Sequence, residues 1–338
     1  MILVYTEKPQ MGKILAPYFR KYYPNEKIVI IHAIYFKNTY FKYPHNVKWS
    51  DYPYIAYPKY EINDLHEWRP VLVTSNGELE NYPMLLDSKG EVEKCNFNTE
   101  EFLNATLFFA SDPCYSSAFN FEIFIEKIYK KNTKDMYIDS LKILSIDEIS
   151  MKQYFAEKCN FYDRFKETVN YGKVISYFNY LYNVNSLAIF GATLRSIDVD
   201  SNEHSISKAS LQLLYKLAED TYKEGLTEGK ILHMMSKWTG TGKYPKHSML
   251  GSWTSQMDIL KNLKNMGFLS YNNKKYYVSS LGLLFLSKLH KDCNDQDLPF
   301  RLEQWGEIDF EESKKRIDSY IKNFFGKQKR KLNTQQIL

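Results

Sequence analysis

The chain has 338 residues, 44% of them hydrophobic and 25% charged, a globular composition that excludes a disordered polypeptide. A mean hydropathy of −0.48, with no apolar run of the about 20 residues that a membrane helix needs, excludes a bundle of bilayer-spanning helices. The net charge of +5, from 45 basic and 40 acidic residues, is too small to establish a polyanionic partner by itself.

The opening MILVYTEKPQMGK reads as a strand over 1–6, a Glu-Lys-Pro turn and a helix, Pro9 suiting the first helical turn. Glu7 and Lys8 directly follow its apolar stretch and no basic region precedes it, so neither a signal peptide nor an anchor is expected, and the expected location is the cytoplasm. The β-branched runs at 27–36 and 69–75 and the run ATLFFAS at 105–111 predict further buried strands. After Asp112-Pro113, FNFEIFIEKIYKK has apolar residues at helical spacing. Strands alternating with helices predict an α/β domain over 1–146 with a mainly parallel sheet, whose ligands would sit at the carboxyl ends of the strands, where Glu7 and Asp112 stand. Cys95, Cys114, Cys159 and Cys293 lie far apart with no CxxC pair, which predicts reduced thiols rather than disulfides or a zinc site.

From residue 147 the pattern becomes helical, with helices expected over 147–159, 165–194 and 207–225. Residues 254–289 then read as helix, strand, Asn272-Asn273 turn, strand and helix, the order of a winged helix with Lys274 and Lys275 on its wing. A helical domain containing this winged helix is expected over 147–310, and a basic C-terminal helix and tail over 311–338. Between Lys314 and Lys331 there are eight Lys or Arg against one acid, Asp318, a distribution that suits nucleic acid or a solvated helix end equally.

Taken in order, these segments resemble the type IA DNA topoisomerases, closest to the topoisomerase III branch. LVYTEKPQMGKILA is similar to the strand, turn and helix that open the family's TOPRIM domain, and KWSDYPYIAYP (48–58) to its Trp and Pro segment. FFASDPCYSSAFNFE (108–122) sits where the family has its acidic Asp-Pro-Asp-Arg-Glu-Gly-Glu run. SKASLQ (207–212) resembles a helix start written SxGRVQ, LTEGKILHMM (226–235) the segment after the active-site gate, and GSWTSQMDILKNLKNMGFL (251–269) with YYVSSLG (276–282) the GTPATRA helix and its wing.

The departures are as informative. About a dozen residues, LLYKLAEDTYKEG, stand where the family inserts its gate domains and nucleophilic tyrosine, and Tyr222 in this gap has no arginine after it. The resemblance implies Mg²⁺ held by close carboxylates, but only Glu7 and Asp112 remain. Cys114, Tyr115, Ser116 and Ala118 replace the rest of the acidic run; a thiol is a poor Mg²⁺ ligand, and Glu122 is the one nearby acid that could take its place. The family arginines fall on Ser210 and Gln256. The resemblance therefore implies a gate-less, catalytically inactive protein that binds single-stranded or junction DNA along a groove between its TOPRIM and winged-helix parts, through Lys8, Ser207, Gln212, Ser252, Ser255, Gln256, Lys274 and Lys275. Replication or transfer of a mobile element would suit such a reduction. Two alternatives stay open: a Mg²⁺-dependent nickase in which Glu7, Asp112 and Glu122 hold the metal, and a pseudoenzyme docking on a replication or transfer protein.

Overall fold

The computed structural model describes residues 1–33, 40–41, 44, 46–62, 70–86, 92–95, 98–200 and 205–335. The chain divides into two compact units, Met1–Lys42 with Pro58–Lys173, and Tyr43–Tyr57 with Val174–Leu338. This division falls within a helix beyond residue 146, and the C-terminal residues after 310 belong to the second unit.

In the first unit, strand β1 (Ile2–Thr6) leads through the Glu7-Lys8 turn into helix α1 (Pro9–Tyr22). Strands β2 (Ile28–His32), β3 (Val71–Val73), β4 (Leu79–Asn81), β5 (Thr106–Ser111), β6 (Asp139–Lys142) and β7 (Cys159–Asn160) complete one sheet in the order β7-β6-β5-β1-β2-β3-β4. Its four central strands are parallel, and β7, β3 and β4 add antiparallel edges. Two short hairpins, 40–41 with 60–61 and 84–86 with 92–95, stand outside this sheet. Strands covered on both faces need apolar residues at every position, and this sheet is covered so. Ile2, Val4, Ile28, Ile30 and Phe108 pack with Leu15 and Phe19 of α1, and with Met151 and Phe155 of helix α3 (Glu148–Ala156). Leu3, Tyr5, Val29, Ile31 and Phe109 face Phe121 and Phe124 of helix α2 (Tyr115–Phe124), and Phe161 and Phe165 at the start of helix α4 (Phe161–Asn185). The four predicted strands are present in shortened form; residues 34–36 and 69 lie outside the described residues.

The second unit is helical. After the last part of α4 come helices α5 (Lys208–Leu217) and α6 (Glu228–Ser236), then helix α7 (Trp253–Asn265), the hairpin β8 (Leu269–Asn272) and β9 (Lys275–Val278), and helix α8 (Ser280–Lys288). Helices α9 (Leu298–Gly306) and α10 (Phe310–Gln335) follow. The hairpin turns at Asn273-Lys274 instead of Asn272-Asn273: Asn272 pairs with Lys275, and both turn residues have positive φ, 49° and 61°. That is the pairing of left-handed residues that matches the twist of a two-residue hairpin.

The basic C-terminal region is not a free tail. Ile317, Ile321, Phe324, Phe325 and Leu332 of α10 are buried at helical spacing, and Phe325 meets the rings of Tyr182 and Phe190 at 5.3 and 5.2 Å. Its cations are largely spent inside the unit. Lys314 pairs with Asp318, Arg316 with Glu312 and Lys327 with Asp292. Lys329 donates to the carbonyls of Ser50 and Tyr52, and Lys331 to those of Ser287 and Leu289. Among the described residues, no helix is long and apolar enough to cross a membrane.

Candidate nucleic-acid interface

The carboxyl ends of β1 and β5 are neighbours because the two strands pair in parallel, Tyr5 beside Phe109. Glu7 and Asp112 follow these ends directly, so the structure brings the two turns together. The Glu7 backbone N–H donates to Ser111 Oγ (3.1 Å), which also accepts from Ser117 Oγ (2.8 Å). Cys114 caps α2: its sulfur accepts from the Ser117 N–H at 3.5 Å and lies 3.2 Å from Ser116 Oγ and 3.9 Å from Glu7 Oε2. On the other side of the turn Thr6 Oγ1 meets His32 Nδ1 at 2.7 Å. His32 is buried, and that burial holds its imidazole neutral, with its pKa lowered to about 4. The ring also sets the approach of α1, since a Cβ on Gly12 would stand 2.4 Å from His32 Cε1. Lys8, beside Glu7, is exposed.

Glu122 does not join this edge. It lies eight positions beyond the Cys114 cap, about 12 Å along the helix at 1.5 Å per residue, and accepts a 2.6 Å hydrogen bond from Thr133 Oγ1. What remains near the strand ends is two carboxylates with a thiol beside one of them. Mg²⁺ takes oxygen ligands in a demanding octahedral geometry, and this donor set does not fit it. Among the described residues, no three His, Cys, Asp or Glu side chains are grouped to hold a metal ion.

In the second unit the residues carried over from the resemblance separate into two groups. Gln212 is 1% exposed, and its amide donates to the Cys293 carbonyl (3.0 Å) and accepts from the Asp295 N–H (2.8 Å). Gln256 is 2% exposed and accepts from Ser236 Oγ (3.1 Å). Both glutamines are therefore struts of the fold rather than surface contacts. Lys275 donates to the Glu224 carbonyl (3.0 Å), which ties the hairpin to the segment before α6. Ser210 is buried and bonded to Ser207, the cap of α5. Tyr222 sits in a single 3-10 turn after α5.

The outward-facing group is smaller. Ser207, Ser252 and Lys274 are exposed, and Ser255 is half-buried behind Ser252, with 2.9 Å between their hydroxyls. Trp253, which the sequence reading did not single out, is 69% exposed at the first position of α7. Tyr271 on the hairpin is exposed under the ammonium of Lys264, 5.3 Å from its ring centre. Its exposure was not legible in the sequence, because Trp253 stands at helical spacing from Met257 and Leu260 and reads as a member of their apolar stripe.

Comparison with known proteins finds no family model and no curated protein that matches the chain.

Proposed function

We propose that the chain is a gate-less relative of the type IA topoisomerases, which binds single-stranded or junction DNA and passes no strand. The observation that carries this reading is the succession of helix α7, hairpin β8-β9 and helix α8, a winged-helix order whose exposed tip offers Lys274 and the Tyr271 ring. A helix with a basic wing is one way to seat on a nucleic-acid backbone. Aromatic faces add base stacking that every base can use, and Trp253 offers one beside the hydroxyls of Ser252 and Thr254. In the first unit, Glu7, Lys8 and Asp112 at neighbouring ends of parallel strands suit a TOPRIM-like ancestry, while Cys114 and the engaged Glu122 favour binding over metal-dependent cleavage. Replication or transfer of a mobile element remains the process that such a reduction suits.

A second reading, docking on a replication or transfer protein, draws on Leu144, Ile146 and Ile149, which are exposed close together in sequence after β6. One experiment separates the two. The purified chain is mixed with single-stranded and forked oligonucleotides and with supercoiled plasmid, each with and without Mg²⁺. Retarded oligonucleotides with plasmid neither relaxed nor nicked are expected. Nicking that needs Mg²⁺ and is lost in Asp112→Asn would replace this reading with a nickase, and no retardation at low salt would leave the docking module.

A further inference from the structure

The strongest unassigned feature outside these contacts is Lys208, the first residue of α5. It is half-buried, donates to Asn179 Oδ1 on α4, and lies 5.6 Å from the centre of the Phe178 ring. An ammonium carries three N–H donors and a carboxamide two. Against these the described residues offer one acceptor oxygen, that of Asn179 itself, and one ring face. Because this oxygen faces the ammonium, the Asn179 Nδ2 group faces away from it and meets no acceptor among the described residues.

Among the other partly buried lysines, Lys158 meets Asp139, Lys216 meets Glu219 and Lys314 meets Asp318, while Lys275, Lys329 and Lys331 donate to backbone carbonyls. Lys208 meets no carboxylate among the described residues, although lysines are seldom buried without a pair. Burial draws its pKa down to about 8, so the fold carries a penalised charge together with a surplus of donors. An anion with two or more oxygens would relieve both.

We propose that Lys208 and Asn179 bind a phosphate group, that of a strand backbone in the first instance. The two non-bridging oxygens of a phosphodiester match the two donor groups, one on each side chain, and the exposed Ser207 hydroxyl adjoins them in sequence. The choice of a strand over free phosphate rests on the DNA-binding reading above. The phosphate site itself does not.

The test uses the full chain with ¹³C-labelled lysine, titrated by NMR alone, with inorganic phosphate and with an oligothymidylate. Lys208 is expected to titrate near about 8 when free, and to move up toward the ordinary lysine value of about 10.4 when the oligonucleotide binds. Lys208→Met and Asn179→Ala should each weaken the oligonucleotide roughly tenfold, the loss expected for a hydrogen bond to a charged group. Lys208→Met should also lessen the salt dependence by about 0.7 in slope, and Lys208→Arg should restore part of the affinity. Lys208→Met should melt higher than the parent, because a half-buried ammonium that meets no carboxylate among the described residues gives way to an apolar chain; a lysine kept for structure would melt lower on removal. If the oligonucleotide binds and Lys208 does not move, this site falls while the DNA reading stands. If no nucleic acid binds but inorganic phosphate moves Lys208, the site stands as one for a small phosphate and the DNA reading falls. A Lys208 resonance unmoved by either ligand overturns the proposal.

Discussion

Polar groups at the strand ends of the first unit close on one another. Thr6 meets His32, Ser111 takes hydrogen bonds from Glu7 and Ser117, and the Cys114 thiol lies between Ser116 and Glu7. In the second unit the groups at comparable positions stay open: Lys208 and Asn179 hold more donors than acceptors, and Trp253 and Lys274 face outward. A closed network rigidifies the turn that it surrounds and has little capacity for a new partner without breaking an existing bond. An open one is costly to keep and gains when a ligand arrives. On the binding reading proposed above, the difference would separate a region retained for stability from one open to a ligand.

The largest expected effect tests the closed side. His32 titrates lower when folded, near 4, than in the unfolded chain, near 6.5. Between those values the unfolded state binds more protons, so stability falls as pH drops through this window and is recovered above it. The full loss from this group is at most about 3 kcal/mol, measured as urea midpoints from pH 7 to 4, and the slope should shrink in His32→Gln, most clearly between about pH 6.5 and 5, above the range in which carboxylates such as Asp147 and Asp292, lowered by their hydrogen bonds, contribute. A smaller effect is expected for Gly12→Ala. Its Cβ would meet His32 Cε1 at 2.4 Å, and such overpacking costs about 1–3 kcal/mol, read as a lowered melting temperature. An Ala variant that melts unchanged would mean that the imidazole can move and that the network is looser than drawn. The smallest effect belongs to the open side. Lys274→Ala should leave stability unchanged and reduce the slope of log K against log salt for single strands by about 0.7. An unchanged slope would take the hairpin tip out of the interface.

How far the sequence foretold this arrangement depends on which physical property decides each residue. The buried strands were legible because a doubly covered sheet leaves a continuous apolar run, as in Ile28–His32 and Thr106–Ser111. The pairing of the Glu7 and Asp112 turns followed from the α/β alternation. The fate of the glutamines was only partly legible. Gln212 stands among Leu211, Leu213 and Leu214, a setting that marks a buried strut, yet its resemblance to a DNA-contacting position pointed outward. For the lysines of α10 the sequence left nucleic acid and a solvated helix end equally open, because the partners they meet, Asp292 and the carbonyls of Ser50 and Tyr52, are remote in sequence. The underlying stripe Ile317, Ile321, Phe324, Phe325, Gln328 and Leu332 was there to be read at helical spacing. Lys208 carried no signal at all, since meeting no carboxylate among the described residues is a property of the folded neighbourhood.

The bonds from α10 back to the segment 43–57 also set an order in time. Lys329 reaches the Tyr52 carbonyl across 277 positions, and Trp49 donates to Asn333 across 284. During synthesis at roughly 5–20 residues per second, the early segment waits on the order of tens of seconds for the helix that completes its surroundings. Contacts of such long sequence separation are slow to form even in a finished chain. The second unit thus reaches its final packing only after nearly all of the residues described here have been made. A chain interrupted before α10 would keep the first unit's sheet strands while leaving Trp49 and its neighbours without their partners.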